Sequence, residues 1–191
     1  MATVREGRQG VLMVVDVQVG VIADAHDSER VVSNVAVAVG RARSEGVPVV
    51  WVQHADDELA FGSDAWQWVP QLVPADGEHR VHKKFNSSFE HTDLDDHLAR
   101  LGATHIALAG AATNWCIRAT AYGALERGYD LTLISDAHTT GSMDLGGGNI
   151  IEAAGVIDDL NICMKWVSYP GRTSATAPAR SVDFSGGGDL R

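Results

Sequence analysis

The chain has 191 residues, 45% hydrophobic and 21% charged, which suits one α/β core, falls short of two full domains and excludes a disordered chain. Its 15 Lys and Arg against 25 Asp and Glu give a formal net charge of −10, removing the general electrostatic case for nucleic acid or an anionic membrane as partner. No apolar leader or membrane-spanning run is present, and the two cysteines, Cys116 and Cys163, have neither zinc nor disulfide-framework spacing, so a cytoplasmic protein is expected.

The first predicted element is a strand at Val11 to Val15, a continuous apolar run ending at Asp16, as in a strand buried on both faces. A helix follows over Ser28 to Ser44, with Val31, Val32, Val35, Val39 and Ala42 at helical spacing and a stop at Gly46-Val47-Pro48. Pro48 to Gln53 reads as the second strand and ends at His54. The stretch His54 to Glu78 is too long for a plain connection and is expected to form a lid or pocket wall. A short strand at Arg80 to Lys83 precedes a helix over Asp93 to Leu101. Then come a strand at Thr104 to Ala109, a helix over Asn114 to Arg127 closed by Gly128, and a strand at Asp130 to Ser135. A flexible Gly146-Gly147-Gly148 leads to a helix over Asn149 to Val167, a last short strand at Thr173 to Ala177 and a loose tail from Ser185. Strands alternating with helices predict a three-layer α/β/α sandwich around a mostly parallel sheet of five or six strands, in one domain over residues 1–191.

Ligands of parallel α/β sheets sit beyond the carboxyl ends of the strands. Asp16, Lys83 and Cys116 all fall at such ends and together supply a base, a positive charge and a nucleophile. Around Cys116, Gly110-Ala111-Ala112 lets the backbone approach a ligand, and Thr113 or Asn114 can cap the next helix. In that helix's first turn the peptide N–H groups favour a thiolate, so Cys116 is expected to be the low-pKa thiol and Cys163 a core residue. A cysteine in an alanine-rich segment is also compatible with a small buried hydrophobe. Lys83 competes with Lys84: strand alternation points them to opposite faces, and only one can enter the pocket. His54 and His138, near strand ends, read as hydrogen-bonded side chains, since Asp16 already offers a base.

The segments VVDVQ, HKKFNSSF and LAGAATNWCIRATAYGALERGYDLTLISDA resemble the isochorismatase-like cysteine hydrolases, a superfamily including nicotinamidases, N-carbamoylsarcosine amidase, streptothricin hydrolase and isochorismatase. The likeness runs from about Gly10 to Ala137 and more loosely to Phe184. It implies an Asp16–Lys83–Cys116 triad, Lys83 being favoured because the family's lysine stands six positions before the phenylalanine found here as Phe89. It also implies a cis peptide at Ala111-Ala112 and oxyanion donors in the N–H groups of Ala112 and Cys116. Gln18, His54, Trp66, Trp68 and Phe89 are the expected substrate-binding residues. The Asp/His/His metal cluster of family nicotinamidases has no counterpart, because His54, Asp56 and Asp57 stand there without a second histidine nearby; no metal and no organic cofactor is expected.

The resemblance implies hydrolysis of a non-peptide carbon–nitrogen bond through a thioester, acting on a small-molecule amide, with a homodimer or tetramer as the assembly. A vinyl-ether hydrolase and a non-catalytic binder on the same fold are the alternatives, and the intact Asp16, Lys83 and Cys116 speak against the binder. Asp56, Asp57, Glu58 and Asp64, with no Lys or Arg between His54 and Gln71, favour a neutral or cationic amide, including a lactam as in streptothricin hydrolase. Trp66 and Trp68 are expected to add a cation–π face.

Overall fold

The computed structural model describes residues 2–185; the predicted tail beyond Ser185 lies outside them. Strand β1 (Gln9–Val15) is enclosed on both faces, with Val11 to Val15 all at 0% exposure. The short helix α1 (Val19–Ile22) and the long α2 (Ser28–Ser44) follow, then β2 (Val49–His54) and β3 (His79–Lys83). Helix α3 (Leu94–Arg100) leads to β4 (Ala103–Ala111), a wide turn at Thr113–Ile117 and helix α4 (Arg118–Glu126). Strand β5 (Asp130–Thr139), the small strands β6 (Met143–Asp144) and β7 (Ile150–Ile151), helix α5 (Ala153–Trp166) and β8 (Ser174–Ala177) complete the described chain.

Six strands form one parallel sheet in the order β3-β2-β1-β4-β5-β8. On one face α3, the Thr113–Ile117 turn, α4 and α5 bury Leu94, Leu98, Ile117, Ala121, Leu125, Leu160 and Met164 against Val11, Met13, Val15 and Val81. On the other, α2 lays down Val31, Val35 and Val39 against Leu12, Val14 and Trp51. Each valine so enclosed is worth roughly 1.5–3 kcal/mol relative to an exposed one, which is why the helical spacing in α2 decides its orientation. The strand order reverses between β1 and β4, so the crevice beyond their carboxyl ends lies where an open parallel sheet takes its ligand.

Two local readings are corrected. The expected helix at Asn149 begins only at Ala153, because Gly146, Gly147 and Gly148 all adopt positive φ (83°, 64° and 81°) and turn the chain into the antiparallel β6–β7 pair. The expected helix start at Asn114 is a π-type turn, with the Ile117 N–H reaching back five residues to the Ala112 carbonyl at 3.1 Å.

Candidate active site

Three strand ends supply the reactive groups. Asp16 follows β1 with φ at 52°, a left-handed conformation that Asp tolerates better than most residues, and its N–H is held by the Val52 carbonyl at 2.8 Å. Lys83 closes β3, and Cys116 lies in the wide turn after β4. That turn can form because Gly110 (φ 131°) presses against β1: a Cβ there would stand 1.9 Å from the Val15 carbonyl oxygen. The next peptide but one, Ala111-Ala112, is cis. Among the described residues the Ala112 N–H takes no hydrogen-bond acceptor.

The three side chains meet. Lys83 Nζ stands 2.6 Å from Asp16 Oδ2 and 3.2 Å from Cys116 Sγ, with the lysine and aspartate side chains almost wholly enclosed. Lys84, next in the chain, is exposed, so strand alternation selects Lys83 as the resemblance implies. Burial works against the Lys83 ammonium, but Asp16 first and Cys116 second outweigh it and raise its pKa. Burial also lifts the Asp16 carboxyl above the usual range, and Lys83 only offsets this in part. We read the pair as ionised, since each charge has the other within contact distance. Asp16 Oδ1 has no hydrogen-bond donor among the described residues, an open acceptor in the interior.

The expectation of a low-pKa thiol is overturned. Burial, followed by the negative charge of Asp16, pushes Cys116 up to about 12, and Lys83 reverses only part of this. The sulfur sits in a wide turn rather than at the start of a regular helix, and a carboxylate is its near neighbour. Neither Thr113 nor Asn114 caps the helix. Thr113 Oγ1 pairs with His138 Nδ1 (2.9 Å), and Asn114 Oδ1 accepts from Thr140 (2.6 Å), so both brace the turn from behind. His138 also pairs with Asn161 at 3.2 Å, and burial lowers its pKa to about 4. Cys163, expected in the core, is half-buried on α5.

The expected substrate-binding residues separate. Gln18 is fully enclosed and its amide is spent: Nε2 donates to the His54 and Trp66 carbonyls (3.0 and 2.8 Å), and Oε1 accepts from the His54 N–H (2.9 Å). Phe89 is a core residue, stacked on Tyr129 and covered by the Arg127 guanidinium. Trp68 packs edge-on against Trp51, in the layer on the far side of the sheet from Cys116. Trp66 packs in tilted ring contacts with Phe61 and His82, and His82 leaves β3 on the face opposite Lys83. The expected cation–π face of Trp66 and Trp68 therefore does not form over the thiol.

The loop carrying these residues is laid along the segment after β1 by Val19 N to Gln67 O (2.9 Å), Gly20 N to Ala65 O (2.8 Å) and Val69 N to Val17 O (3.2 Å). Of the five, His54 lies against the lysine, its Nδ1 standing 3.4 Å from Lys83 Nζ. Asn86, not singled out from the sequence although it lies within HKKFNSSF, faces Cys116 Sγ with its Oδ1 at 4.0 Å. Among the described residues no group of three or more His, Cys, Asp and Glu side chains is placed to hold a metal ion, and no helix is long and apolar enough to cross a membrane.

Residues 10–152 match the isochorismatase domain. A streptothricin hydrolase of Streptomyces noursei is 33% identical over 135 residues, covering 68% of this chain and 54% of that protein. The chain thus spans about half the length of such curated relatives. A ureidoacrylate amidohydrolase of Methylobacterium radiotolerans is 27% identical over 190 residues, 81% of this chain and 74% of that protein. The crystal structure of a cysteine hydrolase from Pseudomonas syringae pv. phaseolicola superposes with a TM-score of 0.79 at 21% identity, covering 90% of this chain and 89% of the other; it speaks for the fold. A six-stranded parallel sheet with this order and a domain match over most of its length lead to one conclusion: the chain belongs to the isochorismatase family.

Proposed function

We propose that the chain is a cysteine hydrolase that cleaves a non-peptide amide through a thioester, with Cys116 as nucleophile, Asp16 as the proton carrier and Lys83 as the fixed positive charge. The observation that carries this reading is one ammonium shared by a carboxylate and a thiol, at 2.6 Å from Asp16 Oδ2 and 3.2 Å from Cys116 Sγ. A streptothricin hydrolase and a ureidoacrylate amidohydrolase among its relatives support it.

The thiol, held up to about 12, rests protonated. Its proton passes to the open Asp16 Oδ1 only as sulfur bonds to the carbonyl carbon, while Lys83 stabilises the charge developing on sulfur. The N–H groups of Ala112 and Cys116 are the donors for the tetrahedral oxyanion. Asp16 then gives its proton to the leaving nitrogen, and amine or ammonia departs from a Cys116 thioester. Water attacks the thioester as Asp16 takes its proton, and that proton returns to the departing sulfur. The sum is amide plus water to acid plus amine. The substrate is neutral or cationic, since Asp57, Glu58 and Asp64 are exposed on a chain of net charge −10.

A panel of linear and cyclic amides, assayed for ammonia or amine release, tests the reading. Turnover lost in Cys116→Ala, with a substrate-derived acyl group on Cys116 seen by mass spectrometry after acid quench, is the expected result. Turnover that survives Cys116→Ala refutes it.

A further inference from the structure

An ammonium has three N–H bonds to place, and in a site this enclosed an unplaced one is costly. Lys83 is ion-paired with Asp16 Oδ2 at 2.6 Å and donates to Cys116 Sγ at 3.2 Å. The third direction holds His54. Strands β2 and β3 pair in parallel with His54 directly opposite Lys83, and both side chains fall on the face that carries Val52 and Val81. His54 Nδ1 is 3.4 Å from Lys83 Nζ, and its Nε2 is 2.9 Å from Asp56 Oδ2.

The two contacts are compatible with one tautomer. A carboxylate can only accept, so Nε2 carries the proton and Nδ1 is left as a lone pair facing the ammonium. Asp56 is itself fixed, because its Oδ1 accepts the N–H groups of Glu58 (2.9 Å) and Leu59 (2.7 Å). The His54 backbone is clamped on both sides by the Gln18 amide. A surface turn, an imidazole and an ammonium thus form one hydrogen-bonded line ending at the thiol.

We propose that His54 is a positioning residue for the hydrolysis proposed above, on which this inference rests: as a neutral imidazole anchored by Asp56, it accepts from Lys83 and holds the ammonium between Asp16 and Cys116. The charged groups facing it are Lys83 from β3, Asp56 from the following turn and Asp16 from the end of β1. Protonation of Nδ1 would replace the acceptor with a second cation and push Lys83 out of register.

Two substitutions and one spectrum test this. Asn places an oxygen acceptor where Nδ1 stands; Leu keeps bulk without an acceptor. His54→Leu is expected to lower kcat by at least ~10-fold with KM nearly unchanged, as for a displaced catalytic group. His54→Asn should keep kcat within about threefold. In uniformly 15N-labelled wild type at neutral pH, the His54 imidazole, assigned by its disappearance in His54→Asn, should show Nε2 protonated and Nδ1 bare. The opposite tautomer, or equal kcat loss in both variants, overturns the proposal. The tautomer is read without substrate, so a failure of amide turnover does not disguise the answer.

Discussion

Lys83 and Lys84 are neighbours in the chain and opposites in environment: Lys83 is 2% exposed and its ammonium meets Asp16 and Cys116, whereas Lys84 is exposed to solvent. Lys83→Ala is therefore expected to lower kcat by at least ~10²-fold, because it removes the charge that stabilises sulfur in the transition state. Lys84→Ala should turn over within about twofold of wild type. Steady-state kinetics on the best amide of the panel decides it, and a dead Lys84→Ala would move the site to the other face of β3.

The Asp16 charge raises the thiol, and Lys83 alone would lower it. Asp16→Asn should consequently abolish turnover while making Cys116 more reactive. Iodoacetamide near neutral pH, followed by peptide mass spectrometry, is expected to label Cys116 faster in Asp16→Asn than in wild type, because the thiolate fraction grows. Slower labelling in the variant would mean that Asp16 does not face the sulfur.

Gly110 allows β4 to lie against β1 at the point where the two strands release Asp16 and the Cys116 turn. Gly110→Ala would bring a methyl to within 1.9 Å of the Val15 carbonyl oxygen at a φ of 131°. Backbone cannot yield as a side-chain tip can, so a loss of at least ~2 kcal/mol is expected in urea unfolding. Gly46→Ala, at a positive φ with open space around it, is the control and should cost less.

His138 is buried and neutral, its pKa lowered to about 4 by burial. Unfolding exposes it to water, where its ordinary pKa is 6.5. Between those values the unfolded chain binds the proton and the folded chain does not, so stability falls as pH drops from about 6.5 to about 4. The full effect of this one group is on the order of 3 kcal/mol. Urea midpoints measured across that window should fall less steeply in His138→Gln than in wild type; parallel curves would contradict the assignment.

Asp57, Glu58 and Asp64 lie exposed on the loop that follows His54. With a chain at −10, a cationic amide should be processed with higher kcat/KM than its anionic counterpart, and the gap should shrink at high salt. Equal values at low salt would leave substrate charge without influence.

How much of this was legible in the residues follows from the range of the interactions. The both-faces-apolar run at Val11 to Val15 and the helical spacing of Val31, Val35 and Val39 reflect local periodicity, and strand and helix appear there as expected. The position of Asp16 at a strand end follows from the same periodicity, because the apolar run of β1 stops there, although the charge itself is enclosed against Lys83. Trp66 and Trp68 are different. Their loop has no repeating pattern, and its course is set by hydrogen bonds to residues 17–20, some fifty positions away in sequence. The register that sets His54 opposite Lys83 is also non-local, since it depends on how β2 and β3 slide before their ladder closes. The charge state of Cys116 depends on that assembly too: the sequence alone determines that a thiol, a carboxylate and an amine stand at strand ends, but the closed core decides how much water they lose and which neighbour dominates, and so turned an expected thiolate into a thiol held at about 12.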